Sequence, residues 1–242
     1  RTAHLRPRHA TAAQNMTFFL CMRARFSVDC LRGALISVGL LFLSILAGAP
    51  LLGQNSAVNG PLVVGLDKAL MMREAGEPVR RLSLERERLR TIPSQVFEIA
   101  ELEELVLDRN KLTSLDGEWA RLPDLVFLRA NNNSITAIPD ALLHLPNLEV
   151  LELGNNELQR IPLDIDGLRR LRELVLWSNP IEHYPASLGN MRSLERLDLM
   201  HNVMTAEEIT AVQLWVRPEV ELILPAACGC EIEENQGDQG DQ

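Results

Sequence analysis

Cysteines, histidines and a set of evenly spaced asparagines are the side chains of this chain best suited to chemistry, and their spacing decides what they can do. The four cysteines are Cys21, Cys30, Cys228 and Cys230, with no C-x-x-C pair and no Cys/His cluster, so a zinc site is not supported. Cys228-Gly229-Cys230 reads as two unpaired thiols; a strained local disulfide or an intermolecular bridge is the alternative in an oxidising compartment. His144, His183 and His201 stand apart, without the H-E-x-x-H spacing that holds a catalytic metal, and read as isolated surface residues. No G-x-S-x-G elbow, phosphate loop or dinucleotide fingerprint occurs. The expectation is no catalytic set, no metal and no cofactor. What remains is Asn110, Asn133, Asn156, Asn179 and Asn202, a column of amides 23 residues apart.

A fixed interval of this kind requires that the elements around the asparagines repeat as well. Registers begin at Val79, Leu102, Leu125, Leu148, Leu171 and Leu194. Their fourth position is Leu82, Leu105, Leu128, Leu151, Leu174 and Leu197, and their sixth is leucine except at Ala130. Position eleven is Leu89, Leu112, Ile135, Leu158, Ile181 and Met204. Position 21 closes each turn with Ile99, Leu122, Leu145, Leu168, Met191 and Leu214. Proline follows position 14 at Pro93, Pro139, Pro162 and Pro185, while Asp116 takes that place in the second register.

This pattern resembles the leucine-rich-repeat family, in its 23-residue form L-x-x-L-x-L-x-x-N-x-L-x-x-[IL]-P, over residues 79 to 224. The resemblance implies an α/β leucine-rich-repeat solenoid with a curved parallel sheet on the concave side, an irregular and short-helical convex side, and helical caps. Alternation in L-x-L turns one face of each short strand inward, and proline favours extended chain and short turns over long helices. A single repeat cannot bury enough apolar surface to offset its ordering, so repeats must stack. In the family the asparagines sit inside the turn and satisfy backbone groups of neighbouring loops, which makes this column structural.

Caps are legible outside the six repeats. Leu66 to Glu74 reads as an N-terminal cap helix with Leu66, Leu70 and Met71 on one face, closed by Gly76 and Pro78. Thr205 and Glu208 form a capping box opening a helix through Val216, followed by a last strand at Val220 to Leu224.

In such a solenoid the outward positions of the strands line the concave face, where the family's partners usually bind. Phe127, Val150, Val175, Trp177 and Met200 are apolar where nothing structural demands it, with Arg129, Glu152 and Arg196 beside them. These eight are the candidate partner-binding residues; the competing reading is that β-branched and aromatic side chains simply suit strands. Trp177 carries the functional reading best, because its large ring is the costliest to leave in water. The column Arg86, Arg109, Asn132, Asn155, Ser178 and His201 reads as a polar edge.

Charge and composition bound the rest. The chain is 46% hydrophobic but only 4% aromatic, as suits a narrow core of equivalent aliphatic side chains. Residues 1 to 49 hold six basic residues and one acidic residue, leaving 18 basic against 32 acidic elsewhere, a net of −14. Such a surface repels phosphate backbones, so nucleic acid is not an expected partner.

Arg23, Arg25 and Arg32 precede the apolar run Ala34 to Leu46 and the small residues Ala47-Gly48-Ala49, the order of a secretory signal peptide. The expected domains are a signal peptide within 1–49, with room upstream of its start for non-native residues, a linker at 50–60, the repeat domain at 61–225 and a disordered acidic tail at 226–242. Cleavage is expected after Ala49, with Met16 or Met22 as the start and an uncleaved anchor over Leu31 to Leu52 as second reading. The segment has a bacterial look, so the glycosylation triplet Asn132-Asn133-Ser134 reads as an accidental match.

Together these features point to a secreted, periplasmic or cell-envelope module that binds a protein partner as a monomer, touching membrane only through its front segment if that is uncleaved. A carbohydrate-binding or adhesive surface protein is the alternative, with Phe127 and Trp177 as its aromatic platforms. An intracellular scaffold follows if the front segment is not a signal. An enzyme is not expected, because no segment outside the repeats is long enough to bury a catalytic core.

Overall fold

A computed structural model describes residues 58–226. The expected signal segment, most of the linker, the four cysteines and nearly all of the acidic tail lie outside these residues.

Eight three-residue strands form one curved, unclosed parallel sheet in strict chain order: β1 Leu62–Val64, β2 Arg81–Ser83, β3 Glu104–Val106, β4 Phe127–Arg129, β5 Val150–Glu152, β6 Glu173–Val175, β7 Arg196–Asp198 and β8 Glu221–Ile223. Strands β2 to β7 are the six repeats, and each residue pairs with its equivalent 23 positions on, as Leu82 with Leu105 and Leu105 with Leu128. The central leucine of every repeat strand is fully buried, and the flanking residues turn to the concave side. Parallel strands need a long crossover; here it is the convex side of each repeat.

Short turns complete those crossovers. Three-ten turns at Ser94–Glu98 and Ala186–Asn190 and the one-turn helix α2, at Asp140–Leu143, each begin straight after a proline. Two more three-ten turns occupy Trp119–Arg121 and Ile165–Gly167. The second repeat has Asp116 in the place of that proline. Asp116 accepts a hydrogen bond from the Ser114 hydroxyl at 2.7 Å, and Gly117 leaves room for the ring of Phe97. That ring meets Trp119 edge to face, centroids 5.3 Å apart, while the Trp119 indole N–H donates to the Leu115 carbonyl at 2.7 Å.

Caps α1 (Leu66–Glu74) and α3 (Ala206–Trp215) fall where the sequence placed them. Thr205 Oγ1 accepts from the Glu208 backbone N–H at 3.2 Å and Glu208 Oε2 accepts from the Thr205 N–H at 2.8 Å, the reciprocal capping box. At the end of α1, Gly76 adopts φ 78°; its N–H donates to Arg73 and the Glu77 N–H to Met72, closing the helix as only a glycine does without strain.

Three expectations are corrected. The packed face of α1 is Leu66, Ala69 and Met72, and Met71 is 69% exposed, because the helix covers the edge of the sheet with its i, i+3, i+6 row. Leu214 does not close the last turn: α3 replaces the three-ten turn there, Val212 and Val216 fill the core, and Leu214 is 79% exposed. A strand before the cap helix, β1, was not anticipated; it pairs with β2 at an offset of 19, outside the 23-residue period.

Every asparagine of the column bonds backbone groups with its side chain. In Asn156 the side-chain NH2 donates to the carbonyls of Ala130 and Leu153, each at 3.0 Å, and Oδ1 accepts from the Ile135 N–H at 3.0 Å. Asn110, Asn133 and Asn179 repeat this set against the loops on either side. Asn202 keeps the donors but accepts from the Asn179 N–H, as the series ends.

Candidate functional site

The concave face is built by residues that leave the sheet plane on either side of each buried leucine. Four positions after that leucine the chain turns away from the strand, and it does so through a left-handed residue in all six repeats: Arg86, Arg109, Asn132, Asn155, Ser178 and His201, with φ between 52° and 63°. The polar edge read from sequence is therefore a backbone device. Asparagine and histidine are the types here that favour the left-handed region, and the arginines and Ser178 bear a strain of about 1 kcal/mol each. This corner fixes the direction of the preceding residue, the column Glu85, Asp108, Asn131, Gly154, Trp177 and Met200.

At the centre of the face that column builds a polar network. Asp108 Oδ1 accepts from the Asn131 N–H at 2.8 Å, and Asp108 Oδ2 lies 2.6 Å from Arg129 Nε. The Asn131 side chain donates to Glu152 Oε2 at 2.9 Å and accepts from the Gly154 N–H at 2.6 Å. Three repeats are thus tied by side chains across the strands. Burial pushes the Asp108 carboxyl above its usual range, against the pull of Arg129 and the Asn131 N–H. Burial also raises the Glu152 carboxyl, opposed by its bond from Asn131 and by Arg129.

Next along the column stands Gly154, whose β-carbon space is taken by the indole one repeat on. A Cβ there would collide with the indole of Trp177 along Nε1 and Cε2 and stand 2.7 Å from Cδ1. Trp177 thus lies over bare backbone, half-exposed, beside the polar network.

Of the eight candidate residues, the structure brings Arg129 and Glu152 into one network and sets Trp177 at its border. Val150, expected to be exposed, is 8% accessible, since on an inwardly curved face a short side chain between Phe127 and Glu173 is shaded by both. Phe127 and Val175 are half-buried. Phe127 does not join Trp177: it lies two strands away at the opposite end of its strand, roughly 16 Å by strand spacing and rise. Arg196 is drawn toward the C-terminal edge by Glu221 at 3.0 Å and Asp198 at 3.7 Å, and Met200 lies one repeat beyond Trp177. Asp108, Asn131 and Gly154 were not singled out from sequence. Their signal was present as three consecutive members of one column.

Among the described residues no group of three His, Cys, Asp or Glu is placed to hold a metal ion, and no helix is long and apolar enough to cross a membrane.

The leucine-rich-repeat family pattern matches residues 77–135 and 128–181. A leucine-rich-repeat protein of Leptospira interrogans is similar in structure, with a TM-score of 0.53 and 33% identity over 56% of this chain and 34% of that one. The leucine-rich-repeat domain of APL1B aligns with a TM-score of 0.50 and 21% identity over 61% of this chain and 44% of the other, a likeness of fold. The chain thus spans less than half of either. No curated protein matches it.

Proposed function

We propose that this leucine-rich-repeat solenoid is a protein-binding module whose partner docks on the concave face at the Trp177, Arg129 and Glu152 region. Domains of this fold are typically protein-interaction modules rather than enzymes, which supports the general class. The observation that carries the finer reading is Trp177 itself. Its indole is held half-exposed over Gly154, next to a prearranged polar network, instead of being packed in the core as Trp119 is. A large aromatic bordered by paired polar and charged groups is the composition of an interface hot spot.

The module acts outside the cytoplasm in this reading. Arginines followed by an apolar run and small residues at the front of the chain support export to the periplasm, envelope or medium. Affinity capture with the wild-type chain and with Trp177→Ala tests the surface. A partner retained by the former and lost, or held at least tenfold more weakly, by the latter is the expected result; equal retention sinks the concave-face assignment.

A further inference from the structure

A second surface lies on the flank of the solenoid, at the N-terminal ends of the rear strands and away from the concave network. There Arg170, Arg172, Arg192 and Arg217 surround a cleft of about 530 Å³ with Glu149, Glu195 and Glu219. The repeat brings them together: Arg170 and Arg172 lead into β6, Arg192 into β7 and Arg217 into β8.

Pairing decides what this cleft can hold. Arg172 is committed, with Glu195 at 3.0 Å through two nitrogens and Glu149 at 3.7 Å. The other three guanidinium groups have no carboxylate within ion-pair distance among the described residues. Two of them are nonetheless held in place by neutral acceptors: Arg170 donates to Asn147 Oδ1 at 2.6 Å and Arg217 to the Leu194 carbonyl at 2.9 Å. Both are oriented by a neutral acceptor and neither meets a carboxylate. Over the whole lining four arginines meet three glutamates, a net of one positive charge, with Glu149 and Glu195 gathered on Arg172 and Glu219 standing apart. The front of the same flank differs, since Arg80 is matched by Glu103 at 3.1 Å. In a chain with a large acidic excess, unpaired arginines gathered around one cavity stand out from the background.

We infer that this flank cleft is a binding site for a phosphate group, held by Arg170, Arg192 and Arg217. Guanidinium forks match the oxygens of a phosphate in pairs, and a group already oriented by a neutral acceptor loses little freedom on binding. The Arg172 pair with Glu195 forms the wall, and Glu219 selects against ligands carrying further negative charge on its side.

Phosphate can arrive on a small solute or on a lipid headgroup, and two arms separate them. In the first, inorganic phosphate is titrated into the full chain at constant ionic strength set with chloride, following backbone amide shifts or heat. Saturable binding is expected in the wild type and in Arg90→Gln, an exposed arginine of the first repeat, and a loss of about tenfold or more in Arg170→Gln/Arg192→Gln. In the second, vesicles of phosphatidylcholine alone and with phosphatidylglycerol are sedimented with the same three proteins. Retention on the anionic vesicles that the double variant loses identifies a headgroup; phosphate binding without retention identifies a soluble ligand. Circular dichroism verifies that the double variant stays folded, and Arg192→Lys, which keeps charge but not the fork, is expected to bind at an intermediate level. The inference is overturned if phosphate produces no saturable change beyond chloride and anionic vesicles retain nothing, or if the double variant binds as the wild type does.

Discussion

The indole of Trp177 lies over Gly154, one repeat before it, in the space that a β-carbon would fill. Gly154 is not among the residues with positive φ, so the missing side chain serves the ring and not the backbone. Gly154→Ala is therefore expected to lift the indole off the face while leaving the repeat folded, because the colliding atoms belong to a half-exposed side chain that can swing outward. Stability should fall by less than about 1 kcal/mol, the cost of an off-rotamer side chain. Tryptophan emission should shift to the red, in proportion to the Trp177 share, and partner binding should drop with it. Unchanged emission in the alanine variant would remove the packing relationship.

The asparagine column predicts a much larger stability effect. Asn156→Ala leaves the Ala130 and Leu153 carbonyls and the Ile135 N–H without their partner in a buried turn. Unsatisfied buried groups cost about 1 to 3 kcal/mol each, of which local relaxation recovers part, so a loss of about 3 kcal/mol is expected. Asn133→Ala, at the one column position that is not fully buried, should cost less. Urea unfolding of both variants measures the difference; equal losses would show that burial does not set the cost.

Why some of this was readable in advance and some was not follows from what repeats and what does not. Leu82, Leu105 and Leu128 recur because the same core position recurs, and the asparagines recur because every turn presents the same carbonyls. Strand β1 has no such signature: it pairs at an offset of 19 and buries only Val63. Leu214 kept its place in the pattern while the element beneath it changed from a three-ten turn to a helix. The left-handed corner escaped because Arg86, Asn132, Ser178 and His201 share no chemistry, only a backbone conformation imposed by the stack. Shading of Val150 and the cross-strand network around Asn131 depend on side-chain reach over a curved face, which column position alone does not encode.

That corner carries its own prediction. Ser178 holds φ 56° with a side chain that gains nothing from it, whereas asparagine occupies the equivalent place at 132 and 155. Ser178→Asn should raise stability by about 0.5 kcal/mol, a fraction of the strain of a left-handed non-glycine residue. The thermal midpoint of the variant against wild type is the readout, and a decrease would contradict the account.

Acid dependence follows from the raised carboxyl of Glu152, whose ordinary value is 4.5. A group with a raised folded-state pKa favours the fold while protonated; that contribution is complete below its unfolded value and lost as pH rises through the folded value. At pH 7 the buried charge therefore weighs against the fold. Glu152→Gln removes the charge and keeps an oxygen for the Asn131 side chain, so it should be more stable than wild type at pH 7 by up to about 1 kcal/mol. The advantage should vanish near pH 3. Urea unfolding at the two pH values tests the sign, and an advantage that grows toward acid would reverse it.

Gly117 resembles Gly154 in what a β-carbon would meet but not in what the neighbour can do. A Cβ there would collide with Phe97 at Cζ and stand 2.6 Å from Cε2. Phe97 is buried and wedged edge-on against the fully buried Trp119, whose own indole is pinned to the Leu115 carbonyl. The ring has no solvent to swing into, so Gly117→Ala should cost about 1 to 3 kcal/mol as an overpacked core does. A smaller residue opposite should recover it: Phe97→Leu alone opens a cavity and destabilises, while the pair Gly117→Ala/Phe97→Leu should be less destabilised than the two single losses added together. A double-mutant cycle by denaturant unfolding reads that coupling directly, and strict additivity would mean that the two residues do not compete for the same space.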